Sequence, residues 1–336
     1  MYLFSVIIPV YNEEKYISRC LQSLITQTMN SYEVIIVDDG STDHSIEICK
    51  KFQGKFRCCS IISHDKKLGA SAARNSGIKC ATGNYVVFLD SDDTLSSHFF
   101  EILMQKILEY NRPDILEFLM TYIEKDGYRS IQGTILNEGL YDRQFLKDFF
   151  IPVHLECVRN DEYSYTLFNA LRVIRRLLII ENHIMFNVNV KRWEDWSFAI
   201  QVFLCANNMA VIKTPLYNYY ENNVGNRMKY QPETFSFVAQ SYKEIDQIVE
   251  YRYDTFSDYA VERKIIQFEN CITEILFQEH SDEMRKQYIY NVLHNDYFQK
   301  VLSFSREETK WYSIWNMLKD NTYENVYEFL LNGIKQ

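Results

Sequence analysis

The chain has 336 residues, a net charge of −9 and a sequence pI near 5.4. A nucleic-acid-binding protein usually carries a surplus of basic residues, so this charge argues against a nucleic-acid partner. Apolar residues make up 47% of the chain and charged residues 24%, which is typical of a globular protein long enough for more than one domain.

Two features bear on where the protein works. The sequence holds no apolar run near the roughly 20 residues of a membrane span, and residues 1–4 show neither a basic region nor a cleavage site. The eight cysteines are scattered without a C-x-x-C pair, so we expect reduced thiols. We therefore expect a cytoplasmic protein without a signal peptide.

In chain order, residues 4–89 alternate between strand and helix patterns. Strands are predicted over 4–10, 32–37, 58–63 and 85–89, and helices after Asn12 and over 42–52 and 69–81. Asn12 is a good N-cap, and Pro9 should end the regular pairing of the first strand because proline lacks an N–H donor. Strands that alternate with helices indicate an α/β fold with a parallel sheet and right-handed crossovers.

An acidic cluster follows the fourth strand. Asp90, Asp92 and Asp93 come directly after the apolar run 85–89, which is typical of a strand buried on both faces. Carboxylates this close repel one another, and ligands of open α/β sheets bind at the carboxyl ends of strands. The simplest interpretation is a divalent metal that carries a phosphate ligand. The alternative is that these aspartates only cap the helix that follows Ser96.

Three strand ends carry side chains suited to binding a nucleotide, at 9–12, 38–41 and 90–93. An acidic residue there can accept a hydrogen bond from the imide N–H of uracil or from a ribose hydroxyl. Tyr11 can stack on a base. Arg74 can pair with a diphosphate, or alternatively form a salt bridge with one of the aspartates. The dinucleotide-binding and P-loop glycine motifs are absent from the sequence.

Four motifs together resemble family 2 glycosyltransferases of the GT-A fold. They read S-V-I-I-P-V-Y-N-E-E at 5–14, V-D-D-G-S-T-D at 37–43, G-A-S-A-A-R-N-S-G at 69–77 and F-L-D-S-D-D at 88–93. Their order and spacing match the family over roughly the first 100 residues. The resemblance implies transfer of a sugar from a nucleotide donor, usually UDP-linked, with inversion at the anomeric carbon and with Mn²⁺ or Mg²⁺ as cofactor.

The resemblance also implies residue roles. Asp92 would bind the metal, Arg74 would lie near the phosphates, and Asp90 near the ribose and sugar. The family often has Asn where this chain has Lys67, and Lys67 could contact phosphate instead. The residues expected to bind the donor are Pro9, Tyr11, Glu13, Asp39, Lys67, Arg74, Asp90, Ser91 and Arg227.

An inverting transfer needs a base to take the proton of the acceptor hydroxyl. Glu194 and Asp195 begin a predicted helix whose buried face includes Trp196 and Ile200. Favourable placement of acids at a helix N-terminus explains this pair without any function. The resemblance implies that Asp195 is the base, with Glu194 as runner-up, because family members carry an E-D pair here.

Residues 114–124 are predicted to form a strand, and 212–220 an edge strand or turn because of Pro215. In the family, a segment similar to 221–229 closes over the donor. Arg227 or Lys229 could then reach the diphosphate.

The predicted domains are a GT-A catalytic domain over 1–230 and a helical region over 231–336. Residues 1–100 would form the nucleotide-binding half and 101–230 the acceptor side. The helical region could pack on the catalytic domain, form a homo-oligomer or contact a membrane. His154 or His183 could complete a metal shell, although a lone histidine is more often not a ligand.

The predicted function is a metal-dependent inverting glycosyltransferase on the cytoplasmic face of the membrane. The resemblance implies that it would move a sugar to a lipid-linked glycan of a bacterial surface polysaccharide such as O-antigen, capsule or teichoic acid. The first alternative is a nucleotidyltransferase. Such an enzyme would need a glycine-rich loop near the N-terminus, and this sequence has none there. The second is an inactive nucleotide-binding or scaffolding protein that acts through its helical half.

Overall fold

A computed structural model describes residues 3–134, 136–151, 168–191, 193–221, 234–252 and 281–303. It also describes 264–265, 268, 271–272, 314, 316–317, 325–326 and 328–330. The described residues divide into two compact units. The first contains 3–151, 168–189 and 194–221, and the second contains 190–191, 193 and the described residues from 234 onward.

The first unit is built on one mixed sheet. Its strands are β1 Phe4–Val10, β2 Tyr32–Asp38, β3 Cys59–Ser63, β4 Tyr85–Phe88, β5 Thr94–Leu95, β6 Ile115–Ile123, β7 Arg129–Gln132, β8 Gly139–Asp142, β9 Arg172–Arg175 and β10 Asn208–Tyr220. Its helices are α1 Ile17–Ile25, α2 Ser45–Gln53, α3 Ala70–Cys80, α4 Phe99–Glu109, α5 Arg143–Phe145, α6 Arg176–Glu181 and α7 Glu194–Cys205. A π-helical turn Leu146–Phe150 and a 3₁₀ turn Asn169–Leu171 complete it.

The strand order is β3-β2-β1-β4-β9-β6-β10-β5, with β7 beside β6 and β8 beside β10. Strands β3, β2, β1 and β4 are parallel, as the alternating pattern predicted. The expectation of a parallel sheet fails beyond β4, because β9 runs antiparallel to both of its neighbours. Strands β6 and β7 form an antiparallel pair since only a short turn joins them, and a parallel pair needs a longer crossover.

Alternate residues of β1 serve the two faces of the sheet. Phe4, Val6 and Ile8 pack in a buried apolar cluster with residues of α1 and α4. Ile7 faces α3, where a Cβ added to Gly77 would lie 2.3 Å from Cγ2 of Ile7. The glycine therefore sets the close approach of α3 to the sheet.

Two expectations about the start of the chain are wrong. Helix α1 begins at Ile17, not after Asn12, because Asn12 has a φ of 56° and its side chain accepts from the Thr42 amide at 2.8 Å. The side chain thus joins two loops and is not a cap. Pro9 remains in register with Val37 of β2, while pairing with β4 stops at Ile7. Proline therefore ended only one of the two ladders.

Strand β10 is not an edge strand. It pairs with β6 along its length, and its other side pairs with β8 at one end and β5 at the other. Pro215 lies between these two outer partners, and the register with β6 shifts on both sides of it. A long paired strand can hold a proline here because the missing N–H falls where the ladder is interrupted.

The described residues of the second unit from 234 onward are helical or lie between helices. They include α8 Thr234–Arg252, α9 Asp282–Leu293 and α10 Asp296–Leu302, in agreement with the helical region that was predicted for this part of the chain. Phe235, Phe268 and Phe298 are buried against one another, so the aromatics here form a core. Across the described part of the chain, no helix combines the length and the apolar character that crossing a membrane requires.

Candidate active site

The ends of β2, β1 and β4 lie side by side, because these strands are neighbours in the sheet. The backbone amide of Asp39 donates to the Val10 carbonyl at 2.8 Å, and that of Leu89 donates to the Ile7 carbonyl at 3.0 Å. The segments that follow these strands therefore share one edge of the sheet. The structure brings together the three strand ends that were expected to converge.

Asp39 organises the loop that leads into α3. Its buried carboxylate accepts from the amides of Leu68 and Gly69 at 2.9 and 2.7 Å, and one oxygen lies 2.8 Å from Nδ1 of His64. Nε2 of His64 lies 2.9 Å from the Ser76 hydroxyl. The sequence patterns did not single out His64. Contact of Asp39 with a nucleoside remains a prediction.

Lys67 lies on the ring of Tyr11. Its ammonium nitrogen is 3.8 Å from the ring centroid, a cation–π contact. The loop that carries Lys67 is held close to the end of β2, since a Cβ on Gly40 would lie 2.9 Å from the Lys66 carbonyl carbon. Two residues expected to bind the donor therefore meet at one place.

The aspartate loop, residues 90–93 after β4, is held in place by residues of β10. Asp93 is buried, and its carboxylate accepts from the Tyr217 hydroxyl at 2.7 Å and from the Tyr220 amide at 2.9 Å. The Tyr217 hydroxyl also accepts from the Asp90 amide at 3.3 Å. Burial first, then the neighbouring carboxylates, raise the pKa of Asp93 well above its usual value. Asp93 is thus a structural anchor.

The same loop is fixed from the side of α1. Nη2 of Arg19 donates to the Asp92 carbonyl at 2.6 Å, and the guanidinium lies 3.5 Å from the ring centroid of Tyr220. Helix α4 begins at Phe99, its N-cap position is His98, and that residue makes no side-chain cap. The aspartates therefore do not cap this helix, which removes the alternative explanation for them.

Glu13 shares an acidic environment with the aspartate loop. Its pKa is raised to about 7, by partial burial first and then by Asp92, Asp43 and Asp90. Its backbone amide donates to the Ser45 hydroxyl at 2.7 Å, which holds the loop after β1 against α2. A cluster of carboxylates that raise one another's pKa favours a cation as ligand.

Arg74 is the cation at the centre of the site. Its side chain is nearly buried, and its nitrogens lie 3.2 Å from Asp90, 3.4 Å from Glu194 and 3.1 Å from Asp195. These carboxylates raise the pKa of Arg74 further, against the opposing effect of burial, so the guanidinium stays charged. The salt bridge that was left open for Arg74 is present, and contact with phosphate remains a prediction.

Asp195 lies in the first turn of α7, as predicted, and faces Arg74. Burial raises its pKa to about 6, with Glu194 and Asp90 adding to the rise and Arg74 and Asn169 opposing it. The Asn169 amide donates to its carboxylate at 3.1 Å. These partners go beyond what a helix dipole provides, and a carboxylate of this pKa is ionised at neutral pH yet basic enough to accept a proton.

The donor atoms near Asp92 suit a divalent cation in part. Among the described residues, no three histidine, cysteine, aspartate or glutamate side chains converge as a ready-made metal shell. Carboxylate oxygen is nonetheless the ligand that Mg²⁺ and Mn²⁺ prefer, and Mg²⁺ is often held by one or two carboxylates plus phosphate and water. The residues present therefore fit a metal that arrives with a diphosphate.

The remaining expected site residues lie as follows. Pro9 is in β1 at the edge described above, and Ser91 is buried beside Asp90. His183 is exposed just beyond the end of α6. Arg227, Lys229 and His154 lie outside the described residues. Four residues with a part in the site were missed, namely Arg19, His64, Asn169 and Tyr217, because none of them lies in the four motifs that carry the resemblance.

The chain is similar to known glycosyltransferases. Residues 5–157 match the family model described as Glycosyl transferase family 2. The chain is 34% identical over 218 residues to Glycosyltransferase GlyA of Streptococcus pneumoniae, across 64% of this chain and 30% of that protein. It is 30% identical over 227 residues to Glycosyltransferase GlyG of the same organism, across 65% of this chain and 70% of that protein. The chain thus spans less than a third of GlyA.

Among solved structures, a fragment of Staphylococcus aureus TarS, residues 1–349 in complex with UDP-GlcNAc, is similar with a TM-score of 0.68. The two chains are 23% identical, and the match covers 100% of this chain and 92% of the fragment. At this identity the similarity establishes the shared GT-A fold. With the family model and the match to GlyG, we conclude that this chain belongs to glycosyl transferase family 2, a family of glycosyltransferases.

Proposed function

We propose that this glycosyltransferase transfers a sugar from a UDP-linked donor to a glycan, with a divalent metal and with inversion at the anomeric carbon. The observation that carries the proposal is the group of carboxylates around Arg74. It joins Asp90, at the end of β4, to Asp195, at the start of α7. A group expected to contact the donor thus lies within one ion-pair network of a candidate base.

The proposed donor site would lie at the edge of the sheet where β1, β2 and β4 end. Tyr11 would contact the base and Asp39 the nucleoside, with Arg74 and Lys67 as the cations nearest to the diphosphate. The relative TarS was solved with UDP and with UDP-GlcNAc, which favours a uridine donor for this chain too. Mn²⁺ or Mg²⁺ held by Asp92 would act as a Lewis acid on the diphosphate leaving group.

The acceptor half of the proposal rests on Asp195. Its pKa of about 6 keeps most of the carboxylate ionised at pH 7, where it can take the proton of an attacking hydroxyl. Glu194 is the runner-up, since it shares Arg74 with Asp195. A base on the face opposite to the leaving group gives inversion.

The biological setting of the proposal comes from relatives. A curated relative, TarS of Staphylococcus aureus, is named poly(ribitol-phosphate) beta-N-acetylglucosaminyltransferase and is 30% identical over 240 residues, 39% of its length. We therefore propose a hexosyl or N-acetylhexosaminyl transfer in the synthesis of a bacterial surface polysaccharide. A lipid-linked acceptor, a cytoplasmic location at the inner membrane face, and a homo-oligomer formed by 231–336 belong to the same proposal.

The test is the thermal stability of the full chain with UDP, GDP, CDP and dTDP, each with and without Mn²⁺. A ligand at 100 times its dissociation constant adds about 2.7 kcal/mol to the free energy of unfolding, which raises the melting midpoint by several degrees. We expect a rise with UDP that requires Mn²⁺. Asp92→Asn should abolish the metal-dependent part, whereas Asp126→Asn, in the exposed turn between β6 and β7, should keep it.

Turnover is measured separately, as release of UDP from UDP-GlcNAc and UDP-glucose by transfer to water. We expect release by the wild-type chain and none by Asp195→Asn, which should still bind UDP. A chain that gains no stability from any nucleotide would overturn the proposal and favour a scaffolding protein that acts through its helical half.

A further inference from the structure

Asn169 is in contact with the candidate base, Asp195. It begins the 3₁₀ turn that precedes β9, and only 1% of its surface is exposed. Its side-chain amide donates to the backbone carbonyl of Asp195 at 3.0 Å and to Oδ1 of the Asp195 carboxylate at 3.1 Å. One side chain thus holds both the backbone and the carboxylate of the same residue.

The orientation of this amide follows from its partners. Both contacted atoms are acceptors, so the NH₂ group must face Asp195, and the opposite orientation would place oxygen against oxygen. The Asn169 carbonyl oxygen is then buried without a hydrogen-bond partner among the described residues. An unpartnered buried carbonyl costs stability, and an apolar residue of similar size would avoid that cost. The side chain is therefore better explained by its action on Asp195 than by stability.

The two oxygens of Asp195 are not equivalent. Oδ1 accepts from Asn169 and also lies 3.1 Å from Nη1 of Arg74. Among the hydrogen bonds of the described residues, none involves Oδ2. A hydrogen bond from Asn169 and the positive charge of Arg74 therefore hold Oδ1, and Oδ2 is left to accept a proton.

Asn169 is itself held in place by a buried ion pair. Arg172, three residues later, donates through Nη1 to the Phe168 carbonyl at 3.2 Å and through Nε to the Glu117 carboxylate at 2.9 Å. Arg172 and Glu117 are directly opposite each other on β9 and β6, and both are buried. The turn that carries Asn169 is thereby anchored to the centre of the sheet.

We propose that Asn169 is a positioning residue for the base. Its amide, with Arg74, holds Oδ1 of Asp195 so that Oδ2 faces the hydroxyl that is to be deprotonated. This inference rests on the proposed function in one respect, namely that Asp195 is the base. The fixing of the carboxylate by Asn169 can be tested without that assumption.

Four charged groups act on Asp195 in addition to the neutral side chain of Asn169. Arg74 on α3 is in contact and favours the ionised carboxylate, while Asp90 after β4 and Glu194 on α7 favour the protonated form. Arg172 on β9 also interacts with it electrostatically. Asn169 is neutral and donates to the ionised form, so its removal should raise the pKa of Asp195 while the four charges remain.

The test is the titration of Asp195 in the full chain with ¹³C-labelled aspartate, followed by carboxyl NMR and assigned by the signal lost in Asp195→Asn. We expect an apparent pKa near 6 in the wild type. In Asn169→Leu it should rise by about one unit, the usual size of the effect of one hydrogen bond on a carboxylate. Asn169→Asp, which keeps the size of the side chain, should raise it further by adding a like charge.

Asn218→Leu is the matched control. It also replaces a neutral amide of the first unit, one that donates to the Thr94 hydroxyl at 3.1 Å, and it should leave the titration of Asp195 unchanged. An unshifted titration in both Asn169 variants would overturn the inference, as would an equal shift in the control.

UDP release from UDP-GlcNAc, measured from pH 5 to 9, connects this geometry to turnover. At pH 6, Asn169→Leu should release UDP about five-fold more slowly than the wild type, because a rise of one unit in the pKa of Asp195 leaves less of the base ionised. The difference in rate should be smaller at pH 9. Full activity of Asp195→Asn would refute the base and leave the NMR result standing. An inactive Asp195→Asn combined with unchanged Asn169 variants would refute only the present inference.

Discussion

At the scale of single residues, the site is a balance of like charges around one cation. Arg74 contacts three carboxylates, so at least one of them is held at a cost whenever all three are ionised. Asp195 bears that cost, because burial raises its pKa to about 6. The same cost makes it a better proton acceptor than an ordinary aspartate.

This balance predicts a pH-dependent effect of Asp195→Asn on stability. A carboxyl group whose pKa is raised in the folded state stabilises the fold when protonated, and this contribution is lost as the pH rises through about 6. The variant lacks this titration. Its melting midpoint, relative to the wild type, should therefore move upward between pH 4.5 and pH 8.

The control for this measurement is Asp65→Asn, which removes an exposed carboxylate from the loop after β3. Its difference from the wild type should stay flatter over the same range. If the two aspartate variants gave parallel curves, the environment of Asp195 would not be the one described here.

At the scale of elements, the aspartate loop is supported by a strand far from it in sequence. Tyr217 of β10 reaches Asp93 over 124 residues of chain, and Tyr220 holds the same carboxylate through its amide. Residues 212–220, which lie in β10, were predicted to form an edge strand or turn because of Pro215. The central position of β10 lets it fix the loop that carries the expected metal ligand.

Tyr217→Phe should therefore affect both stability and ligand binding. Removing the hydroxyl leaves a buried carboxyl group short of a hydrogen bond, which should cost about 1–3 kcal/mol in the free energy of unfolding. The metal-dependent stabilisation by UDP should also weaken. Both are measured by denaturant unfolding and thermal shift.

The neighbouring Tyr219→Phe provides the comparison for this prediction. Its ring stacks on Tyr122, and its hydroxyl has no hydrogen-bond partner among the described residues. Loss of this hydroxyl should leave stability and UDP binding close to wild type. Equal losses in the two tyrosine variants would contradict the support that Tyr217 gives to the loop.

Much of the element structure was predictable, and the failures have physical causes. The strands of the first half were found because buried runs such as Val34–Val37 signal themselves locally. The start of α1 was misplaced because the Asn12 side chain bonds to a loop 30 residues away. Neither this contact nor the antiparallel course of β9 leaves a local trace in the sequence.

At the scale of the whole molecule, the cysteines test the expectation of reduced thiols. Seven cysteines lie within the described residues and all are free thiols, among them the buried Cys20 and Cys49. Burial raises the pKa of Cys49 to about 12, so this thiol should react slowly in the native state. Thiol titration without reductant should find eight reactive groups after denaturation and fewer before it. Fewer than eight after denaturation would contradict a reduced protein.

The sequence by itself determined the family, the fold and the residue types at the three strand ends. Apolar runs, turn residues and motif order are local properties, and they survive in the one-dimensional order of the chain. Only the tertiary structure decided which charges meet. Arg74 and Glu194 are 120 residues apart, and Asn169 and Asp195 are 26 apart. The pKa of a buried carboxylate depends on such neighbours and on its exclusion from water, which exist only once the chain has folded.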